Sequence, residues 1–185
     1  MKRLFVAIKV VPDENFLKSY AALRHALQLE KISWVKPDNF HLTLKFLGKT
    51  PEERFSTLRT ALQQVAKQTT VFPMKMAGTG IFGSSYKPRV LWFSVENDDA
   101  IHRLGEDVLS VLDNAGFPRD RQNFVPHLTI GRINKIEHKK IFQDAVAAHR
   151  HDFLQKFTVD KIILYESLLK PSGVTYRVVM EFALG

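Results

Sequence analysis

Two short stretches of this chain echo each other. Asn39-Phe40-His41-Leu42-Thr43-Leu44 is matched by Asn123-Phe124 and, after Val125-Pro126, by His127-Leu128-Thr129-Ile130. Successive side chains on a strand point to opposite faces. Each copy therefore sets an imidazole and a hydroxyl on one side and buries aliphatic residues on the other. Each copy is also followed by a helical pattern. A duplicated unit of this kind places its two strands in equivalent positions, one per lobe, facing each other across a groove.

The rest of the chain supplies the elements for two such lobes. Residues 4–10 read as a buried strand, and Asp13 as the N-cap of a helix carrying Phe16, Tyr20, Leu23 and Leu27 at helical spacing. After a turn at Lys36-Pro37-Asp38 comes an alternating strand, 41–47, closed by Gly48. Pro51, Glu52 and Glu53 open a second helix with Phe55, Leu58, Leu62 and Val65 on one face. Residues 71–77 and 90–95 have strand composition, with 80–87 a loop or short strand between them. A third helix, 100–115, turns Ile101, Leu104, Val108 and Leu112 inward and ends at Gly116. A polar stretch, 117–126, leads to the strand 126–133, followed by a fourth helix at about 137–149. Two final strands, 157–166 and 174–182, are joined by the turn signal Lys170-Pro171-Ser172-Gly173. Strands outnumber helices and the turns are hairpin-like, which gives an α+β fold with largely antiparallel sheets. The 185 residues suit a single domain, 1–185, of two lobes sharing a core.

The chain has no cysteine. That excludes thiol catalysis, iron–sulfur clusters and a disulfide scaffold. Met1-Lys2-Arg3 and the apolar run behind them resemble the front of a signal peptide. Pro12, Asp13 and Glu14 follow without a small-residue cleavage site, and the run is far too short to span a membrane. The expectation is a cytoplasmic protein with no membrane partner. The formal net charge of +8 favours polyanionic partners, of which nucleic acid is the commonest.

Two imidazoles and two hydroxyls in one cleft suit phosphodiester cleavage without a metal. Attack at phosphorus needs a base for the incoming water and an acid for the departing ribose oxygen. Imidazole titrates near neutrality and serves either role. Thr43 and Thr129 can donate to the non-bridging oxygens, and a guanidinium can absorb the developing charge. Arg132 is the natural candidate, although a regular pleat sends it to the face opposite His127; Gly131 permits a bulge or twist that would bring it back. Lys45 has the parity of His41 and is a second candidate phosphate contact, whereas Phe46 has the opposite parity and belongs to the core.

Other residues carry blander readings. His25 and His102 lie on helices, and His138, His149 and His151 fall in and after the fourth. His149-x-His151 has only Asp152 beside it, so no metal site is expected. Trp34, Tyr86 and Trp92 have rings that can stack on bases, but strand aromatics are more often core. Glycines 78, 80 and 83 match no nucleotide-binding fingerprint. Two further functions fit the same features: a basic module that holds RNA ends without turning them over, and a metal-dependent phosphatase. Mere binding does not require two titrating groups, and carboxylates are scarce beside the motifs.

His41-Leu42-Thr43-Leu44 and His127-Leu128-Thr129-Ile130 resemble the paired motifs of the two-histidine (2H) phosphoesterase superfamily. Within it the chain is similar to the bacterial and archaeal RNA 2′,3′-cyclic phosphodiesterases, also called the 2′–5′ RNA ligase family. The blocks LFVAI, HLTLKFLG, Pro88-Arg89-Val90-Leu91-Trp92, HLTIGR and LYESLLKPSGVTY carry the resemblance over essentially the whole chain. It implies a bilobal α+β fold with two sheets flanked by helices and a pseudo-two-fold axis through the central groove. It implies hydrolysis of RNA or nucleoside 2′,3′-cyclic phosphates to 2′-phosphomonoesters without metal or cofactor, or 2′–5′ ligation in reverse; separately, the chain is expected to act as a monomer. By the same resemblance His41 is the proton donor, His127 the proton acceptor, and Thr43, Thr129 and Arg132 hold the phosphate.

Overall fold

Strand β1 (Lys2–Lys9) is buried from Leu4 through Ile8, because it lies in the middle of a sheet with apolar side chains packed on both faces. The computed structural model describes residues 1–185 except 97–98, 120–122 and 172. Two sheets organise it. The first runs β3 (His41–Thr50), β1, β8 (Lys161–Lys170) and β9 (Gly173–Ala183). The second runs β2 (Lys31–Trp34), β6 (His127–Lys135), β5 (Lys87–Val95), β4 (Phe72–Ser84) and β7 (Phe153–Val159). Every pairing among the described residues is antiparallel.

Each sheet carries two helices on one face. On the first, α2 (Phe55–Gln68) and α3 (Asp99–Asn114) cover Leu4, Val6, Ile8, Leu42 and Leu44. On the second, α1 (Glu14–Ala26) and α4 (Lys139–Ala148) cover Leu91, Phe93, Leu128 and Ile130. The N-cap of α1 is as expected, with the Asp13 carboxylate accepting from the Phe16 amide at 2.8 Å. The alternate residues of β1 and β8, Phe5, Ala7, Ile163 and Tyr165, form a small hydrophobic cluster on the face away from the helices. That face is the one His41 shares. Strands β3 and β6 belong to different sheets, yet they approach each other, which joins the two motif strands across the middle of the molecule.

The sequence pattern differs from this structure in four places. Strand β3 continues through Gly48, whose φ of +70° absorbs an irregular step, to Thr50. Residues 80–84 extend β4, so the hairpin to β5 turns only at Ser85-Tyr86. The run 157–166 is two strands, β7 and β8, in different sheets; the chain crosses between lobes at Asp160, whose carbonyl accepts from the Leu184 amide at 2.8 Å. The short edge strand β2 is too brief to leave a pattern. Asp120, Arg121 and Gln122 of the polar stretch, and Ser172 of the last turn, lie outside the described residues. Among the described residues no helix is long and apolar enough to cross a membrane.

Candidate functional site

Both motif histidines open their strands, and each is held by its own backbone. His41 Nδ1 lies 2.6 Å from the Asn39 carbonyl and His127 Nδ1 lies 2.7 Å from the Val125 carbonyl, in each case two residues upstream. A carbonyl only accepts, so Nδ1 carries the proton and Nε2 is the free nitrogen on each ring. The two rings also have matching surroundings. His41 sits between Phe5 and Tyr176, both with centroids 5.0 Å away. His127 sits between Phe82 at 4.6 Å and Trp92 at 6.1 Å. Asn39 further anchors its turn by donating from Nδ2 to the Val174 carbonyl on β9 at 2.9 Å.

Thr43 and Thr129 follow on the same faces and are half-buried. Neither hydroxyl has a protein partner among the described residues. Immediately after each threonine the strand bulges. Val6 pairs with Lys45 but Ala7 with Thr43, so Leu44 is the extra residue in β3. Leu91 pairs with Gly131 but Trp92 with Thr129, so Ile130 is the extra residue in β6. A bulge sets two residues against one and shifts the alternation that follows.

The consequences for the predicted site residues are opposite in the two halves. In β6, Ile130 and Gly131 both turn inward and Arg132 emerges on the histidine side. Its charge acts on His41, His127 and Tyr176 together. In β3, Lys45 is the inward residue, 4% exposed with Nζ donating to the Pro118 carbonyl at 2.8 Å. Lys45 is therefore not on the groove face, and Phe46, expected in the core, is 59% exposed with its ring 6.0 Å from Phe5. Gly131 is required on packing grounds, since a Cβ there would lie 2.7 Å from Ile32 Cγ2.

The electrostatics hold both imidazoles neutral. Burial pushes His41 down from its ordinary 6.5 to about 4; the Asn39 carbonyl opposes this, and the positive charges of Lys9, His127 and Arg132 add to it. Burial also lowers His127, against the Val125 hydrogen bond and with the help of Arg132. Because His127 acts electrostatically on His41, the structure brings the two rings into one field. A histidine whose pKa falls on folding binds its proton more readily in the unfolded chain, so it favours unfolding as acid is added. Its contribution is fully present above about 6.5 and is lost as the pH falls toward 4. The melting temperature is therefore expected to drop between pH 7 and pH 5, and to drop less in His41→Gln. Equal drops in the two proteins would show that His41 is not the group responsible.

Residues that the sequence pattern missed complete the surroundings. Lys9 pairs with His41 across β1 and β3 and donates to the Asp38 carbonyl. Phe5, Tyr176, Phe82 and Trp92 frame the rings, yet as strand aromatics they read as core until the pairing is known. His149 bonds Asp152 at 2.6 Å, and among the described residues no group of three or more His, Cys, Asp or Glu is placed to hold a metal ion. His138 and the backbone amides of Glu137 and His138 satisfy the buried Glu30 carboxylate, a structural lock between the α1–β2 turn and α4.

Known proteins share this architecture and sequence. The RNA 2′,3′-cyclic phosphodiesterase of Methanocaldococcus jannaschii is 32% identical over 97% of this chain and 99% of its own. That of Thermotoga maritima is 33% identical over 97% and 94%. The crystal structure of TT0787 of Thermus thermophilus superposes with a TM-score of 0.79 at 27% identity, covering 98% of this chain and 97% of that one. E. coli LigT complexed with 3′-AMP gives a TM-score of 0.76 at 23% identity over 99% and 98%, a likeness of fold. The model of the 2′-5′ RNA ligase superfamily matches residues 5–170, a span that holds both histidine strands and the bulges behind them, and the chain belongs to that superfamily.

Proposed function

We propose that this chain hydrolyses 2′,3′-cyclic phosphates, at RNA 3′ ends or on nucleosides, to 2′-phosphomonoesters. Water attacks phosphorus while His127 Nε2 takes one of its protons. The bond from phosphorus to the ribose 3′ oxygen breaks, and His41 Nε2–H protonates that oxygen as it leaves. Thr43 and Thr129 donate to the non-bridging oxygens and Arg132 carries the charge that builds there. The two imidazoles supply both proton transfers, so the proposed reaction needs no metal ion or cofactor.

One observation carries this reading: two imidazoles on equivalent strands, each with Nδ1–H committed to a backbone carbonyl and Nε2 without a protein partner among the described residues. Their low proton affinity also fits a substrate that brings its own negative charge. An anion beside an imidazole favours the imidazolium, so the arriving phosphate makes His41 an acid at the moment it is needed. The names of the M. jannaschii and T. maritima relatives support the same chemistry. A cytoplasmic monomer is the setting we propose for it.

Incubation with the four nucleoside 2′,3′-cyclic phosphates in excess chelator tests the proposal, with product position assigned by phosphorus NMR. The expected product is the 2′-monophosphate, formed at a rate that chelator leaves unchanged. A 3′-monophosphate, or activity lost to chelator and restored by a divalent ion, would overturn it.

A further inference from the structure

Beside Trp92, on the side of the second sheet away from β6, a cavity of about 610 Å³ opens between β4 and the end of α4. Two glycines that fit no phosphate-binding pattern shape its walls. At Gly78, with φ +80°, a Cβ would lie 2.2 Å from the Arg150 carbonyl. Its bare backbone lets the turn after α4 dock on β4, where the Gly78 amide donates to the Asp152 carbonyl at 2.7 Å. At Gly80 a Cβ would lie 2.3 Å from the Trp92 ring, so the indole lies against the strand itself. Thr79 ties the remaining wall to α4 through the Val146 carbonyl at 2.9 Å.

The lining is suited to a nucleotide. Trp92, Ile81 and Val146 offer aromatic and aliphatic surface, Arg150 offers an exposed guanidinium at the rim, and His151 an exposed imidazole. Arg150 has no ion-pair partner among the described residues. Trp92 Nε1 is buried and has no hydrogen-bond acceptor among them either. The same indole stands 6.1 Å from His127, and Ser94, also in the lining, pairs with His127 across β5 and β6. The cavity thus shares Trp92 and Ser94 with the surroundings of His127.

We propose that this cavity receives the nucleotide preceding the cyclic phosphate in an RNA strand, with its base against Trp92 and its phosphate on Arg150. The inference rests on the phosphodiesterase reading and adds that a strand is preferred over a lone nucleotide. Pockets of this size commonly enclose a ligand of nucleotide dimensions.

The test compares an RNA trinucleotide ending in a 2′,3′-cyclic phosphate with a nucleoside 2′,3′-cyclic phosphate, in wild type, Arg150→Ala and Ala147→Phe, the last filling the cavity from an exposed helix position. Wild type is expected to favour the trinucleotide in kcat/KM by about tenfold or more, the worth of one hydrogen bond to a charged group. Both variants should largely abolish that preference. Affinity for the matching strand ending in a 2′-phosphate, read by fluorescence anisotropy, should weaken by about tenfold in each. Equal use of both substrates by wild type, or a preference that neither variant moves, overturns the subsite while leaving the chemistry intact. If neither substrate is turned over, the phosphodiesterase reading fails, and unchanged strand affinity in both variants then rejects the subsite as well.

Discussion

Alanine at His127 is expected to lower kcat on a nucleoside 2′,3′-cyclic phosphate by about 10²–10⁴-fold, the range for removing a positioned acid or base. His41→Ala should cost as much on that substrate, because its leaving oxygen is a poor one. The two losses should diverge on a p-nitrophenyl phosphodiester, whose leaving group departs without a proton. There His41→Ala should recover most of its activity and His127→Ala should not. Both side chains are half-buried, so circular dichroism should show a folded protein in each case. Near wild-type turnover in either variant, or identical losses on both substrates, would reject the assigned roles.

The second large effect is expected at Arg132. Its guanidinium emerges on the histidine side only because β6 bulges at Ile130, and its charge already acts on both imidazoles. Loss of a donor aimed at developing charge costs about 10²–10³-fold in kcat, so Arg132→Ala should fall in that range. Arg132→Lys should recover only part of the loss, since a single ammonium does not reproduce the planar fork. Replacement by alanine also removes a positive charge near both histidines, so the acid limb of the pH–rate profile should move to higher pH. A kcat within about threefold of wild type would show that the guanidinium does not meet the charge formed in the transition state.

The paired His-x-Thr strands, the N-cap of α1 and the helical stripes were legible because they depend on local periodicity and nothing else. What failed lay in pairing. Counting along one strand puts Lys45 on the groove face and Phe46 in the core, the reverse of the structure, because the count is broken by a residue that β1 does not match. The identical step in β6 rescued Arg132, and only the adjacent glycine hinted at it. A bulge records how two strands meet, so a single strand's pattern does not contain it. The division of 157–166 between two sheets escaped for a similar reason. Both halves are apolar strands, and only the topology tells that Asp160 marks a crossing. The carbonyls that fix the histidine tautomers are backbone atoms, which no residue pattern names.

The duplicated bulge has a consequence for the direction of proton flow. Two imidazoles gripped in the same way by their own main chains have no inherent polarity; either could begin as acid or base. The asymmetry enters at the position just past each bulge, where one half presents a hydrophobic ring, Phe46, and the other a permanent cation, Arg132. A cyclic phosphate has a neutral, flat end and an anionic end, and only one way round matches both. Under the proposed roles, this unlike pair helps to tell left from right on a frame that is otherwise pseudo-two-fold, together with Lys9 beside His41.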